Sequence, residues 1–68
     1  MERLIRIGSV SDASRARRLL LDEGLRTRLT KTEIGKDGCV WGLKAEVTHL
    51  SEITLLLMRH GIPYEIIG

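Results

Sequence analysis

Phenylalanine is absent from this 68-residue chain, and tryptophan, tyrosine, cysteine and proline occur once each. A single cysteine cannot close an internal disulfide, which excludes a disulfide-stapled scaffold. The longest unbroken apolar run, residues 55–58, is four residues long, whereas a membrane-spanning helix needs about 20. The opening residues alternate instead of forming an apolar signal core, so no secretory leader is expected. There is no Walker or dinucleotide glycine pattern. Ser9, Ser11 and Ser14 do not sit in a strand–turn–helix nucleophile elbow. His49 and His60 have no second ligand at metal-binding spacing, so they are expected to serve as polar groups at helix ends, with no metal and no cofactor. Charge is not one-sided either. Eleven Lys and Arg face nine Asp and Glu, a net of +2, and phosphate binders usually concentrate more than this.

What is present is an ordinary globular composition, 43% apolar and 29% charged. The length allows one domain, residues 1–68, and excludes a Rossmann domain or a TIM barrel. With a free thiol and no leader, a reducing cytoplasm is the expected home. A chain this short gains little from its core over the cost of ordering, so homodimerisation is the expected support.

An internal repeat organises the chain. At an offset of 37 residues, Ser14 meets Ser51, Leu19 meets Leu56, Leu20 meets Leu57 and Gly24 meets Gly61. Each copy reads as a helix, a glycine stop and a strand. Ser11 and Thr48 are the candidate N-caps. Ala13, Ala16, Leu19 and Leu20 form an apolar stripe at helical spacing, matched by Leu50, Ile53, Leu56 and Leu57. The glycines suit the left-handed residue after a helix end. Leu25, Thr27 and Leu29 then alternate as a strand, as do Ile62, Tyr64 and Ile66. Residues 3–7 and 39–45 supply a strand before each helix, and residues 32–38 make a turn-rich connection. The order β-α-β-β-α-β predicts an α+β, ferredoxin-like sandwich: a four-stranded antiparallel sheet, strands one and three central, with both helices on one face.

Alternation then assigns the sheet faces. Ile5, Ile7, Leu25, Leu29, Leu43, Ala45, Ile62 and Ile66 are expected toward the helices. Arg6, Arg26, Arg28 and Lys44 are expected on the open face as an anion-binding patch. Nucleic-acid sheets of this topology stack bases on aromatics, whereas Trp41 and Tyr64 share parity with the core, which counts against nucleic acid. Leu21, Leu55 and Met58 exceed what one helix stripe can bury and form a candidate dimer patch.

Cys39 is the one residue with distinctive chemistry. It opens the third strand directly after Gly38, where a partner protein could reach it beside a glycine-bearing loop. Lys36 would favour the thiolate, which is the form that attacks sulfur or selenium donors. The alternative is a small apolar core filler, since Cys39 shares parity with Trp41 and Leu43.

Along almost its whole length the chain resembles the selenium/sulfur carrier-like family of small bacterial proteins. The resemblance rests on Ser11 and Ala13 at a helix start, Glu23-Gly24-Leu25 leading into strand two, a cysteine opening strand three before Leu43, and Gly61-Ile62-Pro63-Tyr64 near the end. Two features depart from the family: Val40 follows the cysteine where glycine is common, and Thr30-Lys31-Thr32 replaces a proline-bearing turn. The resemblance implies a stoichiometric carrier, not an enzyme with a pocket. Cys39 would hold a persulfide or selenopersulfide between donor and acceptor proteins of sulfur or selenium metabolism, with Lys36, Gly35 and Gly38 in support. The alternative is a dimeric binding or regulatory module that recruits a protein or nucleic acid through Arg6, Arg26, Arg28 and Lys44.

Overall fold

The computed structural model describes the backbone of residues 1–35 and 38–67, and their side chains apart from residues 33–39. The elements follow in the order β1 (Glu2–Gly8), α1 (Val10–Asp22), β2 (Thr27–Gly35), β3 (Gly38–Glu46), a 3-10 turn (Val47–His49), α2 (Leu50–Arg59) and β4 (Glu65–Ile67). The sheet order is β2-β3-β1-β4 with every pairing antiparallel. Strands β1 and β3 are therefore central, as the ferredoxin-like reading requires. No helix among the described residues is long and apolar enough to cross a membrane.

One core holds both helices to one face of the sheet. Ile5, Leu43 and Ala45 from the central strands meet Ala16 and Leu20 of α1, Ile53 and Leu57 of α2, and Leu25 and Ile62. Ile7, Leu29 and Ile66 pack on its margin, so the face assignment by alternation holds on all four strands. Removing these aliphatic groups from water is the main stabilising term.

The 37-residue repeat is visible in hydrogen bonds. Helix α1 spans 13 residues, and the 3-10 turn plus α2 spans the 13 positions that correspond to it. Both helices end the same way. Leu25 N–H donates to Leu20 O and Gly24 N–H to Leu21 O, and Ile62 and Gly61 repeat these bonds to Leu57 and Met58. Gly24 (φ +80°) and Gly61 (φ +68°) are left-handed. These are paired Schellman stops, in which the buried Leu25 and Ile62 also close the apolar contact.

The helix starts differ from expectation. The N-cap of α1 is Ser9, whose Oγ accepts from Asp12 N–H at 3.2 Å, not Ser11. Ser9 keeps an extended backbone (ψ 157°), and that conformation defines the cap; Ser11 is already helical. Thr48 caps nothing. It lies inside the 3-10 turn, and His49, which precedes α2, makes no side-chain cap. The strand ends differ too. β2 begins at Thr27 and runs on to Gly35 through much of the expected connection, because cross-strand pairing with β3 outweighs local turn preference. β4 is only three residues long, so Ile62 and Tyr64 lead into it without belonging to it.

Candidate functional site at the hairpin mouth

Strand β3 is longer than its central neighbour can cover. Its register with β1 starts at Glu2↔Glu46 and ends at Gly8↔Trp41, where the chain leaves the sheet to enter α1. Its register with β2 continues through Glu33↔Val40 and Ile34↔Cys39 to Gly35↔Gly38. Residues 38–40 are thus flanked by a strand on one side only. Cys39 stands on a two-stranded projection beyond the four-stranded body, and Gly35 and Gly38 form the closing register pair beside it. Lys36 and the Cys39 side chain lie outside the described residues.

Two β-bulges set the direction of this projection. Ile7 is the extra residue of β1, opposite the step from Gly42 to Trp41. Thr32 is the extra residue of β2, opposite the step from Trp41 to Val40. A bulge bends its strand and increases the local twist, and here both flanking strands are bulged around one residue of β3. Thr32 Oγ1 fixes its bulge by donating to Val40 O at 3.0 Å. Gly42 permits the crowding: a Cβ there would lie 2.2 Å from Ile5 O and 2.8 Å from Thr32 Cγ2. Sequence reading missed both bulges, although an isolated glycine within a strand pattern is the available signal.

Beside the projection lies a shallow depression lined by Arg6, Gly8, Val40, Pro63, Tyr64 and Glu65. The Arg6 guanidinium and the Glu65 carboxylate stand 4.0 Å apart across it. Val40, directly after the cysteine, forms one of its walls. The depression therefore offers both charges, an apolar wall and a phenol to whatever approaches the exposed side of the hairpin. Trp41 is half-buried, and Lys31 Nζ lies 5.6 Å from its ring centroid, a cation–π distance.

Comparison with protein-family models, curated proteins and solved structures found no match. The functional reading therefore rests on the residues themselves.

The expected basic patch is not a pure one. Arg28 and Lys44 are register partners on the open face, and Lys44 is in turn opposite Leu4. Arg28 Nη2, however, lies 3.4 Å from Glu2 Oε1, and Arg6 is paired with Glu65. Glu46, opposite Glu2, takes the N-terminal ammonium at 2.5 Å. Arg26 precedes β2 instead of belonging to it. Carboxylates thus alternate with the cations, because antiparallel register brings glutamates of β1, β3 and β4 onto the face that parity assigned to arginine and lysine. Such a mixed face suits a protein surface better than a polyphosphate.

The apolar patch is likewise divided. Leu21, Leu55 and Met58 are all exposed. Helices α1 and α2 run antiparallel: they follow the antiparallel strands β1 and β3, and Arg15 and Leu19 of α1 share a depression with His60 and Ile62 at the C-terminal end of α2. Leu21 and Met58 each lie near the C-terminal end of their own helix, and hence at opposite ends of the helix layer. Only Leu55 and Met58 form a patch. His49 and His60 flank α2 as helix-end residues, and no cluster of three metal-ligating side chains occurs among the described residues.

Proposed function

We propose that this chain is a small carrier that takes sulfur or selenium onto Cys39 from one enzyme and hands it to another. The observation that carries the reading is the register of β3: Cys39 sits where the strand has outrun β1, on a projection a partner can approach. The family resemblance of the Cys39-to-Leu43 segment supports the same reading. The exchange balances without an external oxidant. The Cys39 thiolate attacks the outer sulfur of a donor persulfide, the donor's S–S bond breaks, and the donor thiolate departs. An acceptor thiolate then attacks the outer sulfur on Cys39, which leaves as thiolate. Lys36 would favour that thiolate, and Gly35 and Gly38 would let a partner's active site come close. Such chemistry belongs in a reducing cytoplasm.

The test is mass spectrometry after incubation with a cysteine desulfurase and either cysteine or selenocysteine, which load the donor enzyme with a persulfide or a selenopersulfide. An adduct of about 32 or about 80 mass units on Cys39, lost in Cys39→Ser, is expected. No adduct on Cys39, together with failure of iodoacetamide to alkylate it in the folded protein, ends the proposal.

The alternative, a module recruiting a partner through the open sheet face, draws on the row Arg28, Lys44, Leu4 and Ile67, which are successive register partners across all four strands. Binding that survives Cys39→Ser but falls with Arg28→Ala distinguishes it from the carrier.

A further inference from the structure

The outward side of α2 carries apolar groups that nothing among the described residues covers. Ile53 and Leu57 are fully buried, whereas Leu55 is 54% and Met58 67% exposed, three positions apart on the opposite side. Exposed Ser51 continues this stripe one turn earlier. Along one flank stand Glu52 and Arg59, both exposed. Neither side chain has an ion-pair partner within the described residues. Seven residues are two helical turns, so these opposite charges lie on the same side of α2, about 10 Å apart along its axis.

That arrangement is complementary to itself. A second α2 laid antiparallel across the first, about a twofold axis between Leu55 and Met58, brings Leu55 against the partner's Met58 and Met58 against the partner's Leu55. The same operation sets Glu52 beside the partner's Arg59, and Arg59 beside the partner's Glu52. A parallel copy would instead put the two charged flanks on opposite sides of the seam, where neither charge meets its complement. Helix α1 provides an internal comparison. At the positions equivalent to Glu52, Leu55, Met58 and Arg59 it carries Arg15, Arg18, Leu21 and Asp22. A charge thus occupies the centre of its outward face, and the corresponding contact would bury two guanidinium groups near each other.

We propose that α2 packs antiparallel against α2 of a second copy of this chain, with Leu55 and Met58 at the centre and a Glu52–Arg59 pair on each side of the twofold axis. The contact is isologous and closes at two copies. Helix α2 has ten residues, about 15 Å of length, so the area falls short of the roughly 1,600 Å² of a standard interface. A concentration-dependent dimer in the micromolar range is therefore expected. None of this uses Cys39, so failure of sulfur loading leaves the dimer standing, and absence of the dimer leaves the carrier standing.

Sedimentation velocity under reductant, which prevents a Cys39–Cys39 cross-link from being counted, tests it over about 1 to about 500 µM protein. The wild-type chain should pass from monomer to dimer across that range, and Leu55→Lys should stay monomeric throughout. Glu52→Arg and Arg59→Glu should each weaken the dimer by at least about 5-fold, and the double variant should return within about 2-fold of wild type. Arg18→Glu on α1 should change nothing. All these positions are exposed, and an unchanged circular dichroism spectrum verifies the fold. A wild-type chain that is monomeric at every concentration overturns the proposal. So does a dimer indifferent to Leu55→Lys, or a double charge reversal no better than the single ones.

Discussion

Gly42 occupies the tightest point of the sheet. A methyl group there would meet a carbonyl oxygen of β1 at 2.2 Å and a threonine methyl of β2 at 2.8 Å. The first of these is backbone held by strand pairing, so it cannot rotate out of the way. Gly42→Ala must therefore spread β1 from β3 at the Ile7 bulge, and overpacking of this kind costs about 1–3 kcal/mol. Urea denaturation should show the unfolding free energy falling by that amount, with more loss than for alanine at a neighbouring open-face position such as Lys44. Unchanged stability would mean that the bulges do not close on β3 as described. The composition of residues 39–45 made the strand legible, and Leu43 and Ala45 gave its buried parity. The only sequence mark of the bulges was Gly42, an isolated glycine within the pattern of β3; which residues of β1 and β2 are the extra ones depends on the chain count of those neighbouring strands. Cys39 could be found from its chemistry, but its position past the end of β1 comes from where β1 stops, which β3 does not encode.

At the scale of elements, the two helices were readable because each writes its stop in glycine and its stripe in aliphatics at the same offset. The two closing bonds of the stops, from Gly24 and Leu25 and from Gly61 and Ile62, agree between the halves, whereas Glu23 N–H donates to Leu20 O and His60 N–H to Leu56 O. The starts were not readable. Three serines within six residues offer competing caps, and the choice of Ser9 depends on the backbone leaving β1 in an extended conformation. The second helix begins through a 3-10 turn with no side-chain cap, so no capping residue exists to be found. The equivalence of the stops has a measurable consequence. Gly24→Ala and Gly61→Ala each force a Cβ into the left-handed region, at a cost of about 1–2 kcal/mol. No atom lies within 4 Å of either added Cβ, so the loss should be conformational only and nearly equal at the two sites. Because the sites are remote from one another, the double variant should lose the sum to within about 0.5 kcal/mol. Thermal denaturation of the four proteins checks this; a clear inequality would show that one stop bears a load the other does not.

For the molecule as a whole, the strand order matters more than the repeat. Sequence divides the chain into two similar β-α-β halves, yet among the described residues β1 pairs with β3 and β4, and β2 pairs with β3. Every strand pairing therefore joins one half to the other, and neither half contains a ladder of its own. The core is shared in the same way, with Leu20 of the first half and Leu57 of the second meeting over Ile5 and Leu43. A half removed from its partner would keep an apolar stripe and two strands whose backbone groups have no neighbour. A helix of 13 residues is marginal in water without tertiary support. Residues 1–35 and 38–68, prepared as separate peptides, should each show the circular dichroism of a largely unfolded chain. The intact protein should unfold in one transition, at the same midpoint whether followed by helix content or by Trp41 fluorescence. Leu20→Ala and Leu57→Ala should each shift both probes together by the same amount, about 2–5 kcal/mol of lost stability. A peptide half that melts cooperatively, or probes that separate in either variant, would mean that the halves are independent units laid side by side. The sheet would then be an assembly of two folded repeats and not one interleaved structure.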